Sequence, residues 1–370
     1  MHLIYVGEMG PYSHSFRRLL ALEKLGFEVL PVDIDYSPKM AATRLVTKIM
    51  AWQGYPLDLA GANQGILAAA ASGKYNLLWV DNAVSIKPAT LVTAKSLCPS
   101  LFRVLYTSDD PFGQVKGQYR RLVKTIPHFE LHFVPREKNI SEYLDAGAPL
   151  VLRHQFSYCP DLQRPMSLTA AEKQQWGSEL LFIGHWEEDR EESLAALIKA
   201  GLPVRVIGKY WHWRLGKHWK LIKPHFVPGP VWGDDYARTL GAAKISLGFL
   251  SKWNNDTVTT RTYEIPACGG FLLAEQSEES VRLFAPGKEA EFFASPEELI
   301  EKARYYLEHS EERERIARAG LERCRRSGYD HPTQLRLMLG KVPAISGWST
   351  GDTARIFASP ENGKPSCPGI

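Results

Sequence analysis

Residues 249–275, FLSKWNNDTVTTRTYEIPACGGFLLAE, read as a strand end, a polar loop, a short helix, a glycine turn and a second strand. Asp256 and Glu264 stand eight positions apart, with Thr257, Thr259, Thr260 and Arg261 between them. Hydroxyls and backbone N–H groups therefore open onto a helix start, which is an anion-binding arrangement with a carboxylate on either side.

Outward from this stretch the same alternation continues. Upstream, ELLFIGH, PVRVIG and KISLGFL read as strands, separated by the helical segments EDREESLAALIKAG and DDYARTLGAA. Downstream, Ser295, Pro296 and Glu298 form a capping box with proline at the first helical position, and Gly328 marks a helix stop. The first half repeats the pattern. HLIYVGE leads through a glycine loop and an amphipathic stretch to FEVLPVDI, and NLLWVDN, RVLYTSDD, LHFVP and PLVLRHQF follow as apolar runs. Strands alternating with helices predict an α/β protein whose parallel sheets are covered on both faces. The expected division is residues 1–160, a linker at 161–178, a second domain at 179–341 and a loose tail at 342–370.

At 370 residues and 44% hydrophobic, the chain is long enough for two cores. The opening MHLIYVGEMG has no basic segment before a long apolar core, and no run of about 18 apolar residues occurs. A protein that is neither secreted nor membrane-spanning, hence cytoplasmic, is the expectation. Cys98, Cys159, Cys268, Cys324 and Cys367 form no C-x-x-C pair, which argues against a disulfide framework and a zinc site. A net charge of +4 permits anionic ligands without demanding nucleic acid.

Ligands of such sheets collect beyond the carboxyl ends of the strands, where Gly7, Asp81, Asn82, Ser108, Asp109 and Asp110 fall. In the second half Gly184 ends a strand, His185 follows and Arg190 comes six after the glycine, so a loop N–H and a guanidinium could hold a diphosphate. An ordinary strand-to-helix turn has the same signature.

The run from KISLGFL through GGFLLAE, followed by LFAPGKEAEFFASPEELIEKARYYLEHSEERERIARAG, resembles the CgeB-type (spore-maturation) glycosyltransferase-like family. The first half is similar more loosely, through the Gly7 loop, Ser108-Asp109-Asp110-Pro111 and NISEYLDAGAP. The wider relatives are retaining GT-B glycosyltransferases with a Glu-x7-Glu signature. The resemblance implies two Rossmann-like domains facing across a cleft, the first for the acceptor and the second for a nucleotide-sugar. It implies that Glu264 binds the ribose hydroxyls and that Asp256 faces the donor sugar as a catalytic-site residue, although aspartate is a methylene shorter than the glutamate of relatives. His185 and Arg190 stand where relatives neutralise the diphosphate, a load that Arg190 and Arg261 share more than the histidine.

Breaking an anomeric C–O bond leaves a nucleoside diphosphate, so fixed cations and helix N–H donors are needed and a metal is not. No cofactor is expected; the nucleotide-diphosphate sugar is substrate. Asp109-Asp110 accordingly reads as an acceptor-side or structural pair rather than a metal motif. The loop from Gly7 to Arg17, with Tyr12, Ser13 and His14, is the acceptor-side candidate. His14 is open between a phosphate contact, a catalytic base and a plain polar loop histidine. Trp232, in Pro230–Gly233, stands where relatives cradle the nucleotide base. The aromatic-basic run Lys209–Phe226 is open between local packing, a sugar platform, a peripheral contact with the inner face of the membrane and a nucleic-acid contact. The leading function is sugar transfer to an acceptor; the alternative is a non-catalytic GT-B-like assembly protein of a spore coat or other surface layer.

Overall fold

The computed structural model describes residues 2–34, 44–82, 84–209, 211 and 216–343. Most of the tail expected at 342–370, together with Trp213, lies outside them. Two six-stranded sheets carry the chain, and every strand pair in them is parallel. The first has the order β2-β1-β3-β4-β5-β6, from β1 (His2–Gly7), β2 (Glu28–Asp33), β3 (Leu77–Asp81), β4 (Phe102–Tyr106), β5 (Leu131–Val134) and β6 (Val151–Arg153). The second has the order β12-β11-β10-β7-β8-β9, from β7 (Ser178–Ile183), β8 (Val204–Gly208), β9 (Phe226–Pro228), β10 (Ala243–Gly248), β11 (Leu272–Glu275) and β12 (Glu291–Phe293).

The near-continuous apolar runs follow from burial on both faces. In β1 and β3, Ile4, Val6, Leu78 and Val80 join one core, while Leu3, Tyr5, Leu77 and Trp79 join another on the opposite face. The second sheet divides alike, with Leu181 and Leu272 on one side and Leu180 and Leu273 on the other. Strand period two is thus read twice in the inner strands, where no face is left for solvent; the edge strands β2 and β9 stay partly exposed.

One sequence boundary shifts. The helix His331–Leu339, assigned by sequence to the second domain, places Leu335, Met338 and Leu339 in the first domain's core beside Leu19 and Leu22. The chain crosses back after Gly328, where Tyr158 bridges to Asp330 and Ser157 Oγ lies 2.6 Å from His331 Nδ1. An amphipathic helix must bury its apolar stripe, but its periodicity does not say against which domain.

His331 is 1% exposed and its Nε2 meets no hydrogen-bond partner. Burial, helped by Arg18 and His14, holds its pKa well below the ordinary histidine value. The unfolded chain therefore binds a proton near pH 6.5 that the folded chain refuses, so stability is full above that pH and falls on acidification. The slope is up to about 1.4 kcal/mol per pH unit. Urea midpoints at pH 7.5 and 5.5 should drop further for the natural protein than for His331→Gln, whose side chain does not titrate; equal drops would reject the assignment.

Candidate functional site

Both sheets reverse strand order at a switch point, between β1 and β3 in the first and between β7 and β10 in the second. Carboxyl ends at such points leave a crevice. Three connected cavities occupy it. One of about 270 Å³ lies against Gly184, Gly208, Trp232, Tyr236, Arg261 and Glu264. A second, about 230 Å³, shares Gly184, His185 and Arg261 with it and adds Arg190, Asp256, Thr259 and Thr260. A third, about 560 Å³, runs into the first domain along Tyr12, His14, Asn82, Ser108 and Asp109.

The helix Thr260–Ala267 sets the centre. Thr259 caps it, its N–H donating to Thr262 Oγ1 at 3.2 Å, and Gly269 at φ 77° ends it. Arg261 and Glu264, one turn apart, therefore face the crevice together. Glu264 is 1% exposed; its Oε2 accepts from Arg261 Nη1 at 2.6 Å and from the Tyr236 hydroxyl at 2.7 Å. Oε1 faces the other domain, 3.4 Å from His14 Nε2. Burial pushes the carboxyl up, yet Arg261, His14 and Tyr236 outweigh it and hold the group below the usual range. Arg261 is raised further above its ordinary value: burial opposes this, but Tyr236 and Glu264 prevail. His14 begins the helix His14–Lys24, whose cap Ser13 accepts from Phe16 N at 3.0 Å. Desolvation in the cleft lowers its pKa against the pull of Glu264, with Arg18 and Arg261 adding to the lowering. At neutral pH His14 is a neutral hydrogen-bonding group.

Asp256 lies at the expected distance along the chain, but its carboxylate is engaged across the cleft. Arg136, at the start of the helix Glu137–Asp145, donates to Asp256 Oδ1 through Nε at 3.1 Å and through Nη2, and gives Nη1 to Ser108 O at 3.1 Å. Burial raises the Asp256 pKa despite Arg136. Arg190 is similarly committed: Nη2 is 2.8 Å from Glu187 Oε1 and donates to Leu250 O at 3.1 Å, while Nη1 donates to His185 O at 3.1 Å. Burial lowers the Arg190 pKa. Of the loop N–H groups there, that of Gly184 joins the ladder to Ile207 O at 2.9 Å. His185 pairs with Glu187 at 3.0 Å and leans on the Trp253 ring. Arg261, Thr259 and Thr260 line the cavities as polar donors, and Arg190, committed through both Nη atoms, anchors the loop after β10.

On the first-domain side, Gly7 is buried, and a Cβ there would run into Ser15 Oγ; it permits close packing of the helix His14–Lys24 rather than contact with a ligand. Asp109 lines two of the cavities and accepts from Asn82 Nδ2 at 2.7 Å. Asp110 is structural: Phe112 N, Asn139 and Asn255 all donate to it, the last from the second domain. Tyr12 and Trp232, 48% and 50% exposed, stack across the cleft with ring planes 3° apart and centroids 6.4 Å apart. In Lys209–Phe226, Trp211 is fully buried and gives Nε1 to Gly184 O at 3.0 Å, and Trp219 packs edge-on to Phe226; packing is what the described aromatics do there.

Sequence reading missed Arg136, Tyr236, Glu187 and Gly208. A Cβ on Gly208 would lie inside the carbonyl oxygen of Gly184, so the ends of β7 and β8 can close only around glycine. Gly208→Ala is expected to cost about 2–3 kcal/mol, read as a lower urea midpoint, and to distort the 270 Å³ cavity. An unchanged midpoint would show that the two strand ends can separate freely.

The architecture is GT-B, two Rossmann-like domains facing across a cleft. Residues 190–339 match the family model described as Glycosyl transferase-like. Among solved structures, that of Anabaena Alr3699/HepE in complex with UDP-glucose is similar over 92% of this chain and 98% of its own, at 12% identity and TM-score 0.60. Sucrose-phosphate synthase from Thermosynechococcus elongatus is similar over 91% and 96%, at 13% identity and TM-score 0.61. A glycosyltransferase from Rickettsia africae is similar over 94% and 99%, at 11% identity and TM-score 0.62. No curated protein matches the chain in sequence. Identities this low speak for the fold; the family match in sequence covers residues 190–339.

Proposed function

We propose that the protein transfers a sugar from a nucleoside-diphosphate donor to an acceptor hydroxyl, as a CgeB-like, hexosyltransferase-type member of the GT-B enzymes. The observation that carries this is the position of Arg261, shared by the 270 and 230 Å³ cavities, with Glu264 buried at its side. A nucleoside fits the first cavity, its base toward Trp232 and its ribose hydroxyls on Glu264 Oε1. The diphosphate then falls at the junction, against Arg261, the Thr260 N–H and the hydroxyl groups of Thr259 and Thr260. The sugar occupies the second cavity beside Asp256, and the acceptor approaches through the third past Asp109. We read Asp256 and Glu264 as the counterparts of the Glu-x7-Glu pair, and the reaction as metal-independent. Arg261 and the helix N-terminus stabilise charge as the leaving diphosphate forms. Neutral His14, which lines the first and third cavities, offers a hydrogen bond on the ribose side of the site.

Calorimetric titration with UDP, GDP, TDP and ADP tests the reading. Saturable binding of at least one is expected; no binding by any would end the proposal.

A second reading, a non-catalytic assembly protein of a surface layer, is favoured by one observation: Asp256 and Arg190 are both consumed by internal ion pairs. Hydrolysis of a nucleotide-sugar, lost in Arg190→Ala, would exclude it. Binding without any turnover would favour it.

A further inference from the structure

The helix Arg44–Trp52 is folded with its apolar side outward. Leu45, Val46, Ile49 and Trp52 are 68%, 54%, 45% and 73% exposed. At about 100° per residue they share one arc of roughly 120°. Thr47 instead faces inward, 2% exposed, with its hydroxyl lacking a hydrogen-bond partner. Core-directed helices do the reverse, and a contiguous apolar patch of this kind marks a contact surface.

The chain beside it is basic. Arg121 N–H donates to Gly54 O at 2.9 Å, and Lys124 Nζ lies 5.2 Å from the Tyr55 ring centroid, so the helix Arg120–Thr125 is fixed against the end of the apolar one. Residues 45–57 and 111–129 hold Lys48, Lys116, Arg120, Arg121 and Lys124 and no Asp or Glu, five positive charges in a chain whose net charge is +4. Lys48, Lys116, Arg120 and Lys124 are exposed. Ala51, Pro56 and Gln118, from the same two segments, line the 560 Å³ cavity, so the patch borders one mouth of the cleft.

We propose that this face is an interfacial anchor that lies in the headgroup region of an anionic lipid bilayer. A convex helix with Leu, Ile and Trp on one arc offers no groove for a partner peptide, whereas its apolar side can sink into the acyl boundary while the flanking cations meet lipid phosphates. Among the described residues no helix is long and apolar enough to cross a membrane, so the contact is one of lying on the surface. It brings the first-domain cavity next to the bilayer. The inference stands apart from the sugar-transfer reading, and its test does not involve nucleotide or turnover.

The test is co-sedimentation of the full chain with vesicles of phosphatidylcholine, with and without about one third phosphatidylglycerol. Retention on the anionic vesicles is expected. It should weaken when salt rises from about 0.1 M to about 1 M, as the screening length falls from ~10 Å to ~3 Å. Ile49→Ser with Trp52→Ser should lower retention about tenfold or more. Lys116→Gln with Arg120→Gln should lower it about fivefold per removed cation. All four positions are exposed, so far-UV circular dichroism and melting temperature should not move. Absence of retention on anionic vesicles would overturn the proposal, and so would retention that the variants leave unchanged. A natural protein that is dimeric in solution and made monomeric by Ile49→Ser with Trp52→Ser would also overturn it, by showing that a second copy covers the face.

Discussion

Glu264→Ala is expected to lower the affinity for the nucleotide that binds by about 100-fold or more, equivalent to ~3 kcal/mol. Two losses add. In the proposed reading the ribose loses the Oε1 acceptor, and Arg261 loses the partner that aims it, 2.6 Å away. The fold pays as well: the Tyr236 hydroxyl is left buried and unpaired, and Arg261, 29% exposed at its side chain, keeps only part of its solvation. A loss of about 3 kcal/mol in stability follows, at the low end for breaking a buried pair because Arg261 retains contact with water. Glu264→Gln separates the two effects. Its carbonyl still accepts from Tyr236 and Arg261, so stability should fall by only about 1 kcal/mol. Binding should still fall about tenfold, because an amide is a weaker acceptor than a carboxylate for ribose hydroxyls. Affinity for that nucleotide equal to that of the natural protein in both variants would remove Glu264 from the site.

What the sequence discloses is local, and what it conceals is long-range. Strands such as Leu77–Asp81 announce themselves because both faces are covered and every position is buried. Arg261 and Glu264 are legible because a helix start fixes their relative placement within one turn. Asp256 is legible as a position but not as an environment: its partner Arg136 is 120 residues away and belongs to the other domain. Arg190 reads as a free cation although its partner stands only three positions before it, since nothing in EDREESLAAL distinguishes a guanidinium aimed at a ligand from one held by Glu187. Gly7 reads as a ligand loop, yet the missing Cβ serves packing against Ser15. The helix Arg44–Trp52 shows the limit from the other side: its apolar spacing predicts a core stripe, and the fold turns that stripe to solvent.

Removing Arg136 should cost more than removing its partner with it. Arg136→Ala leaves the Asp256 carboxylate, 7% exposed, without its cation, and a loss of about 3–5 kcal/mol is expected. In Arg136→Ala with Asp256→Ala neither charge of the pair remains, so the double variant should be more stable than the single one, with a coupling of about 2 kcal/mol or more in a double-mutant cycle. The pH dependence carries a sign. Burial already raises the Asp256 pKa, and loss of Arg136 raises it further, so the folded variant binds a proton that the unfolded chain releases near pH 4. The deficit of Arg136→Ala should therefore shrink as pH falls from 7.5 to 5, and a constant deficit would mean that Asp256 is solvated. The same pair decides the role of Asp256 in catalysis. A residue that only ties the domains can be replaced together with its partner, and the double variant then regains nucleotide-sugar turnover that Arg136→Ala has lost. A residue that also binds the donor sugar cannot: Asp256→Asn, which keeps an acceptor for Arg136, should lower kcat while leaving the affinity for the nucleoside diphosphate intact, and the double variant should stay inactive.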